Sequence, residues 1–140
     1  MKYKIYCIFA LIILSSCSPK PKKYIEHITG YWQITQVEKD NKLIKKYTIS
    51  ATVDYFKVES NLTGFKKKVT PTFEGSFIIS KHHMPFSLKI ENDSLNIYYI
   101  NKDITIKETI LKASQNELII TNSEGLKYTY RPFEKIDLLP

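Results

Sequence analysis

Cysteine, glycine and arginine are scarce in this sequence. Of its 140 residues only Cys7 and Cys17 are cysteines, and both lie near the N-terminus. The rest of the chain therefore contains no thiol that would form a disulfide, act as a nucleophile or ligate a metal. The four glycines form no Gly-rich phosphate-binding loop. No repeat, low-complexity tract or long helical pattern supports a parallel α/β fold.

The abundant residues favour a single domain built from strands. Hydrophobic residues make up 43% and charged residues 25% of the chain, as in an ordinary globular protein. Aromatic residues reach 13%, with ten tyrosines and seven phenylalanines, and this composition favours β-structure. The net charge of +7 comes almost entirely from lysine, since Arg131 is the only arginine. Such a charge suits an anionic lipid or polymer, or it is simply a solvated lysine surface.

Residues 1–16 have the three parts of a secretory signal. Lys2 and Lys4 supply the positive start, and the apolar run of residues 5–14 is too short for a helix of about 20 residues that spans a bilayer. The run Leu14-Ser15-Ser16-Cys17 resembles the bacterial lipobox. That resemblance implies cleavage before Cys17 and acylation of both its thiol and its new amine, which anchors a protein stably in a membrane. The alternative is an ordinary secreted protein with a chance cysteine.

A short tether, residues 17–23, separates this leader from the domain, residues 24–140. Ser18 stands where lipoproteins retained in the inner membrane carry aspartate, so the sequence resembles lipoproteins sent to the outer membrane. The tether lacks the acidic residues of the surface-export signals found in Bacteroidetes lipoproteins. These resemblances imply an outer-membrane lipoprotein on the periplasmic face, with the membrane as a partner through Cys17.

Apolar and polar residues alternate in about eight short segments, which predicts strands. A helical turn at residues 24–29 precedes them, and the clearest hairpin joins residues 86–90 to 95–99. Residues 65–71 carry lysines and a proline and are predicted to form an edge strand or loop, and residues 81–85 a loop. An antiparallel meander of this kind closes into an up-and-down barrel, with a β-sandwich as the alternative. The other predicted strands cover residues 31–38, 43–50, 52–60, 72–80, 104–112, 118–121 and 126–133.

The first strand opens with Gly30-Tyr31-Trp32, directly after the helical turn. A Gly-x-Trp at this position, followed by a meander with a late basic residue, resembles the lipocalin-like lipoproteins of Bacteroidetes. In lipocalins the tryptophan lies at the closed end of the barrel and a basic residue of the last strand packs across it. The resemblance therefore implies a cation–π pair between Arg131 and Trp32, a contact of about 0.5–2 kcal/mol.

No set of residues has the spacing of a catalytic or metal site. His82 and His83 are adjacent, so on an extended strand they point to opposite faces and do not easily chelate one metal. The run of Lys66, Lys67 and Lys68 is either an anion-binding patch or a solvated edge, and a membrane or glycan suits it better than a nucleic acid. We therefore expect a non-enzymatic protein without a cofactor or metal.

Two polar residues interrupt the predicted inward faces. Glu108 is in register with Ile106 and Ile110, and Gln36 with Trp32, and a polar group among inward aliphatic residues needs a partner. Either a bulge turns Glu108 outward or Glu108 orients a ligand in a cavity. The predicted inward set is Phe86, Leu88, Ile90, Leu95, Ile97, Tyr99, Ile104, Ile106 and Ile110. The candidate ligand-binding residues are Phe86, Leu88, Ile97, Tyr99, Ile106 and Glu108.

The prediction for function is a lipid-anchored envelope protein that binds a small apolar or amphipathic ligand inside a barrel. An acyl chain, a sterol-like compound or a flat aromatic compound would suit the predicted lining. The alternative is an inhibitor, immunity or envelope-assembly lipoprotein whose barrel is filled and whose outer surface binds a periplasmic protein. In addition, Asp93-Ser94-Leu95 resembles the acceptor motif of Bacteroidetes O-glycosylation, which makes Ser94 a candidate for modification.

Overall fold

The chain folds into a closed antiparallel barrel. The computed structural model describes residues 20–49 and 51–134, so the predicted leader, residues 17–19 of the tether with Cys17, and residues 135–140 lie outside the described residues. Within the described residues the elements are α1 (Pro21–Tyr24), a 3₁₀ turn (Ile25–His27), β1 (Gly30–Lys39), β2 (Lys42–Lys46), β3 (Val53–Val58), β4 (Thr63–Pro71), β5 (Phe77–Glu91), β6 (Ser94–Asn101), β7 (Ile104–Ala113), β8 (Leu118–Asn122) and β9 (Leu126–Pro132).

Eight of these nine strands form the closed ring. Consecutive strands from β3 to β9 pair with each other, and β1 closes the ring by pairing with both β3 and β9. The remaining strand, β2, forms a hairpin with the second half of β1. The predicted up-and-down, lipocalin-like barrel with a short N-terminal helix is therefore confirmed, and the two-sheet sandwich is excluded because the sheet closes on itself.

The two ends of the barrel differ. The turns at residues 40–41, 102–103 and 123–125 lie at one end, which we call the open end. The turn at residues 72–76 is bent away from this end, because Phe77, directly after it, stacks on Tyr31 at the start of β1. The turns at residues 59–62, 92–93 and 114–117 lie at the other, where α1 contacts β6 and β7. Ile28 is fully buried there, and Tyr24 and Ile25 pack against the core. The N-terminal segment therefore plugs this closed end.

Gly30 and Trp32 fix the junction between the plug and the barrel. Gly30 has a φ of 150°, a conformation that residues with a Cβ rarely adopt. It lets the chain turn from the helical segment into β1, so that Nε1 of Trp32 donates a hydrogen bond of 2.8 Å to the carbonyl oxygen of Ile28. The Gly-x-Trp sequence thus has a local physical cause, because the glycine permits the turn and the indole closes it.

Large apolar side chains fill the half of the barrel near the closed end. Leu95, Ile97 and Leu118 are fully buried, and the rings of Phe56 and Tyr99 pack at either side of Phe86. The ring centroids of Phe86 and Tyr99 are 5.8 Å apart in an edge-to-face arrangement, a favourable geometry for aromatic pairs. This half is a packed core and has no room for a ligand.

Three predicted elements differ in the structure. Residues 65–71 form part of β4, which pairs with β3 on one side and β5 on the other, so they are not an edge. Residues 81–85, predicted as a loop, lie within the fifteen-residue strand β5. Residues 72–80, predicted as a strand interrupted by a bulge or bend at Gly75, form a turn around Gly75, whose φ is 80°, followed by the start of β5. The pairing of β4 with β5 overrides the local signals of lysine and proline.

The hairpin between β4 and β5 covers part of the outer face of the sheet. Val53 and Val69 are opposite each other and both are buried, although neither belongs to the interior core. Tyr31 stacks on Tyr55 and on Phe77, with ring centroids 4.6 Å apart in each pair. This outer cluster packs the start of β5 against the start of β1 on the outer face.

Candidate ligand-binding site

A cavity of about 320 Å³ lies in the barrel interior above the packed core. It is bounded by aromatic and aliphatic side chains together with polar and charged ones. The first group consists of Trp32, Ile34, Tyr47, Tyr128 and Tyr130, and the second of Thr52, Asp54, Lys66, Lys68 and Glu108. The strands β1, β3, β4, β7 and β9 contribute eight of these side chains because each presents alternate residues to the interior, while Tyr47 and Thr52 come from the connection between β2 and β3.

Asp54 is the centre of a charged cluster. Its side chain is 8% exposed, and its Oδ1 and Oδ2 atoms lie 3.1 Å and 3.4 Å from Nζ of Lys68 and Lys66, respectively. The hydroxyl of Tyr130 donates a hydrogen bond of 3.2 Å to Oδ2. A buried carboxylate requires such partners, and Asp54 has them on three sides.

The lysine run of β4 is divided between the two faces of the sheet. Lys66 and Lys68 are opposite Phe56 and Asp54 of β3, and Nζ of Lys66 lies 5.2 Å from the centroid of the Phe56 ring. Lys67 alternates to the outer face, where its Nζ lies 4.9 Å from the centroid of Phe65. The expectation of a solvated edge or a three-lysine anion patch is therefore wrong, because two of these lysines point inward and pair with Asp54.

Glu108 also points into the cavity, close to the hydroxyl of Tyr99. That hydroxyl and Oε2 of Glu108 are shielded from solvent, and neither atom meets a partner in hydrogen-bond geometry among the described residues. The register of β7 is regular from Ile104 to Ile110 and shifts only between Ile110 and Lys112. The bulge therefore follows Glu108 and does not turn it outward.

The negative charge of Glu108 acts on three tyrosines. Burial, followed by the charge of Glu108, raises the pKa of Tyr99 well above its ordinary value. Burial, then Asp54, then Glu108 raise the pKa of Tyr130 in the same direction. Burial and then Glu108 raise the pKa of Tyr128. The three phenols therefore keep their protons at neutral pH.

Gln36, the other polar residue predicted to face inward, does not. A register shift between Ile34 and Gln36 places Gln36 opposite Thr129 and Val37 opposite Tyr128. Because Tyr128 lines the cavity, Val37 occupies the inward position and Gln36 is turned outward. There its amide nitrogen donates a 3.2 Å hydrogen bond to Oε2 of Glu38.

The predicted apolar lining does not surround the cavity. Phe86, Leu88, Ile97 and Tyr99 are buried in the packed core, and Ile106 is 41% exposed; of the candidate ligand-binding residues only Glu108 contacts the cavity. The prediction identified the inward face of the strands. It was wrong about the lining, because the large side chains fill the barrel near its closed end.

Position along the barrel explains the other differences within the predicted inward set. Leu95 and Ile110 are buried in the core, whereas Ile90 and Ile104 are 46% and 66% exposed. Among the described residues, β5 pairs with β6 only from Phe86 to Glu91. The open end of the β6–β7 hairpin therefore lacks a neighbouring strand on that side, and Ile104 meets solvent.

The predicted contact between Arg131 and Trp32 is not formed. Arg131 is opposite Gln33 in the β1–β9 ladder, while Trp32 is opposite Pro132. Nε and Nη2 of Arg131 donate hydrogen bonds of 3.3 Å and 3.2 Å to Oε1 of Gln33. Neighbouring residues of a strand face opposite sides, so Arg131 lies on the outer face. The carbonyl of Ile28 provides the polar partner of the indole instead.

Several cavity residues escaped the sequence analysis. Asp54 shares one face of β3 with Phe56 and Val58, and Tyr128 shares one face of β9 with Tyr130. This two-residue period was the available signal for their inward position. The two lysines that pair with Asp54 lie within residues 65–71, which the sequence predicts as an edge strand or loop. Their ion pairs with an inward carboxylate were therefore not predicted. Long-range pairing across the barrel is not visible in local sequence.

The remaining candidate residues lie outside the cavity. Ser94 is half-buried at the start of β6, directly after the turn formed by Asn92 and Asp93, and its glycosylation stays a prediction. His82 and His83 are exposed on β5. Among residues 20–49 and 51–134, no group of three or more His, Cys, Asp or Glu side chains is arranged to hold a metal ion. Across the same residues, no helix has the length and apolar character needed to cross a bilayer.

A barrel plugged at one end and hollow towards the other defines a class of proteins that enclose small molecules. The family described as lipocalin-like domain matches residues 28–120, which is about two thirds of the chain. The chain therefore belongs to the lipocalin-like domain family. Searches of curated proteins and of solved structures returned no match. The lipocalin-like barrel suggests small-ligand binding.

Proposed function

We propose that this protein is a lipid-anchored protein of the bacterial envelope that binds a small amphipathic ligand in its barrel and catalyses no reaction. The observation that carries the proposal is the cavity of about 320 Å³ with the unpartnered carboxylate of Glu108 on its wall. Binding sites commonly combine apolar walls with a few polar groups that orient the ligand. The resemblance of residues 14–17 to a lipobox supports the anchor at Cys17, the outer membrane and its periplasmic face.

The cavity favours an amphipathic ligand over a wholly apolar one. Trp32 and Ile34 offer apolar surface, but Asp54, Glu108 and the tyrosine hydroxyls also line the space. An acyl chain alone would exclude water from the cavity and leave the carboxylate of Glu108 without a partner, which costs free energy. A ligand with an apolar body and a polar head satisfies both kinds of surface.

Ligand binding is tested with an environment-sensitive fluorescent dye and with native mass spectrometry of the protein purified from its host. Ile34→Phe adds volume inside the cavity and should weaken dye binding, since Ile34 lines it. Ile44→Phe is the matched control, because Ile44 is 57% exposed on β2 and does not line the cavity. A folded wild-type protein that neither binds a dye nor carries a small molecule would contradict the proposed function.

Exposed apolar residues on the β4–β5 and β6–β7 hairpins favour a second candidate function, the binding of another envelope protein. Phe73 is 96% exposed at the β4–β5 turn, and Ile79 and Ile104 are 60% and 66% exposed. Exposed apolar surface of this kind often marks an interaction site. A photo-crosslinking amino acid at position 73 would trap such a partner in the host. A specific protein adduct together with an empty barrel would favour this function over ligand binding.

The anchor is tested by labelling growing cells with an alkyne fatty acid. Cys17→Ala should abolish the label and leave the signal uncleaved by the lipoprotein peptidase, because both reactions require the cysteine thiol at that position. Cys7→Ala is the control, since Cys7 lies in the predicted signal and is not acylated. Equal labelling of the wild type and the Cys17→Ala variant would disprove the anchor without affecting the proposed ligand binding.

A further inference from the structure

We propose that the ligand of this cavity carries an organic ammonium group, which the carboxylate of Glu108 binds between the surrounding tyrosine rings. This inference rests on the proposed small-ligand binding and names the chemistry of the ligand. It follows from the distribution of charge in the cavity, from the aromatic walls and from the position of Glu108.

The four charged side chains of the cavity sum to zero, but both lysines lie against Asp54, and neither forms an ion pair with Glu108. Lys66 and Lys68 both pair with Asp54, at 3.4 Å and 3.1 Å. Glu108 forms no ion pair, and its Oε2 atom is shielded from solvent without a hydrogen-bond partner among the described residues. A shielded and unpaired carboxylate is unfavourable, and a cation that enters the cavity would remove this cost.

The walls around the carboxylate suit a cation. Tyr128 and Tyr130 line the same cavity as Glu108, and Tyr47 and Trp32 complete its aromatic surface. Aromatic faces attract ammonium groups through their quadrupoles, and cages of such rings recognise quaternary ammonium ligands. The raised pKa values of Tyr128 and Tyr130, to which the charge of Glu108 contributes, agree with the closeness of these rings to the carboxylate.

The same groups disfavour the other head groups. A ligand carboxylate would be repelled by Glu108, and the two lysines that would attract it lie against Asp54. A hydroxyl would donate one hydrogen bond to Glu108 but would leave its charge uncompensated. An ammonium group alone provides both a positive charge and, when it carries hydrogens, a donor.

The test compares four probes that share an eight-carbon chain and differ in their head group. Octylamine and octyltrimethylammonium are cations at neutral pH, octan-1-ol is neutral and octanoate is an anion. Binding is measured by isothermal titration calorimetry and by the fluorescence of Trp32, the only tryptophan in the chain, which lines the cavity. We expect both cations to bind about tenfold tighter than octan-1-ol, equivalent to ~1.4 kcal/mol, and octanoate to bind most weakly.

Variants then assign the preference to one residue. Glu108→Gln keeps the shape of the side chain and removes its charge, so the cations should lose their advantage over octan-1-ol. Glu59→Gln is the matched control, because Glu59 is exposed at the closed end, and it should keep the advantage. Equal binding of cations and alcohol by the wild type, or an undiminished preference in a folded Glu108→Gln protein, would overturn the inference.

The wild-type comparison does not depend on any variant, so the inference stays testable even if Glu108→Gln fails to fold. The inference also fails separately from the proposed function. If octan-1-ol or octanoate binds best and Ile34→Phe blocks it, the cavity is a ligand site of a different chemistry. If none of the four probes binds, and the host protein carries no small molecule, the proposed function falls together with the inference.

Discussion

Asp54 holds together the charged groups of the barrel interior, so its removal should be costly. Asp54→Asn leaves Lys66 and Lys68 adjacent without a counter-ion and weakens the acceptor of the Tyr130 hydroxyl. We expect a loss of about 2–3 kcal/mol in unfolding free energy, below the usual range for a broken buried pair because the cavity admits water. Lys68→Met should cost less than about 1 kcal/mol, since that side chain is 65% exposed. Urea unfolding followed by the fluorescence of Trp32 measures both, and equal effects would contradict this account.

Two buried tyrosines should respond differently to the loss of a hydroxyl. Tyr130→Phe removes the hydrogen bond to Asp54 and should cost about 1.5–3 kcal/mol, as for hydrogen bonds to charged groups. The hydroxyl of Tyr99 has no hydrogen-bond partner among the described residues. Tyr99→Phe should therefore leave the unfolding free energy within about 0.5 kcal/mol of wild type, or raise it. A larger loss for Tyr99→Phe than for Tyr130→Phe in urea unfolding would refute the assignment.

The same tyrosines predict a loss of stability at high pH. Burial raises the pKa of Tyr99 and Tyr130 well above that of a free tyrosine, which is about 10. Above this pH the unfolded chain loses the phenolic protons while the folded chain keeps them. The unfolding free energy should therefore be at its full value below pH ~10 and fall as the pH rises further. Tyr99→Phe should make this fall shallower, which urea unfolding at several alkaline pH values would detect.

At the level of elements, the N-terminal plug contributes to the stability of the whole barrel. Ile28 is the fully buried residue of this plug. Ile28→Ala should therefore lower the unfolding free energy by about 2–5 kcal/mol, as for other large-to-small core changes. Ile44→Ala is the control, because Ile44 is 57% exposed on β2, and surface changes usually stay within about 0.5 kcal/mol. Similar thermal or urea midpoints for the two variants would show that the plug is dispensable.

The strands were predictable where their two faces differ in polarity. The β5–β6 hairpin and strands β7, β8 and β9 follow the alternation closely, because one face is buried and the other meets water. The alternation failed at residues 65–71 and 81–85. In the first of these stretches the interior itself is charged. Lysines therefore occupy inward positions of β4, and the signal for a buried face is absent.

Of the candidate ligand-binding residues, the sequence correctly placed only Glu108 on the cavity wall. Glu108 was recognisable because it interrupts an aliphatic face, but Gln36 gave the same signal and is turned outward by the bulge in β1. A bulge depends on the partner strand, which the local sequence does not contain. For the same reason Asp54 and its two lysines could not be connected, since they come together only through the pairing of β3 with β4.

For the molecule as a whole, the polarity of the interior changes along the barrel axis. The half near the plug is filled by Phe56, Phe86, Tyr99 and aliphatic residues, whereas the half near the open end contains Asp54 and Glu108. The filled half provides the apolar burial that stabilises a small domain. The barrel can therefore keep an unpaired carboxylate in the other half without losing its core.

This polarity also predicts an orientation on the membrane. The plug is at the closed end, and three residue steps separate its first described residue, Lys20, from Cys17, a reach of at most about 11 Å. A lipid anchor at Cys17, as proposed, would therefore hold the closed end near the bilayer. The ten-residue strand β1 is about 33 Å long, so the open end would face the aqueous compartment.

Energy transfer from the protein to a labelled lipid would measure this orientation. If Cys17 is acylated as proposed and Cys7 is removed with the predicted signal, the chain has no free thiol, so a single introduced cysteine is labelled selectively. Glu59→Cys places the fluorophore next to the turn at the closed end, and Asp103→Cys places it in the β6–β7 turn at the open end. In liposomes carrying the acylated protein, transfer to an acceptor in the headgroup layer should be stronger from position 59 than from position 103. Stronger transfer from position 103 would place the cavity mouth on the bilayer. The ligand would then enter from the lipid phase and not, as this orientation predicts, from the water outside it.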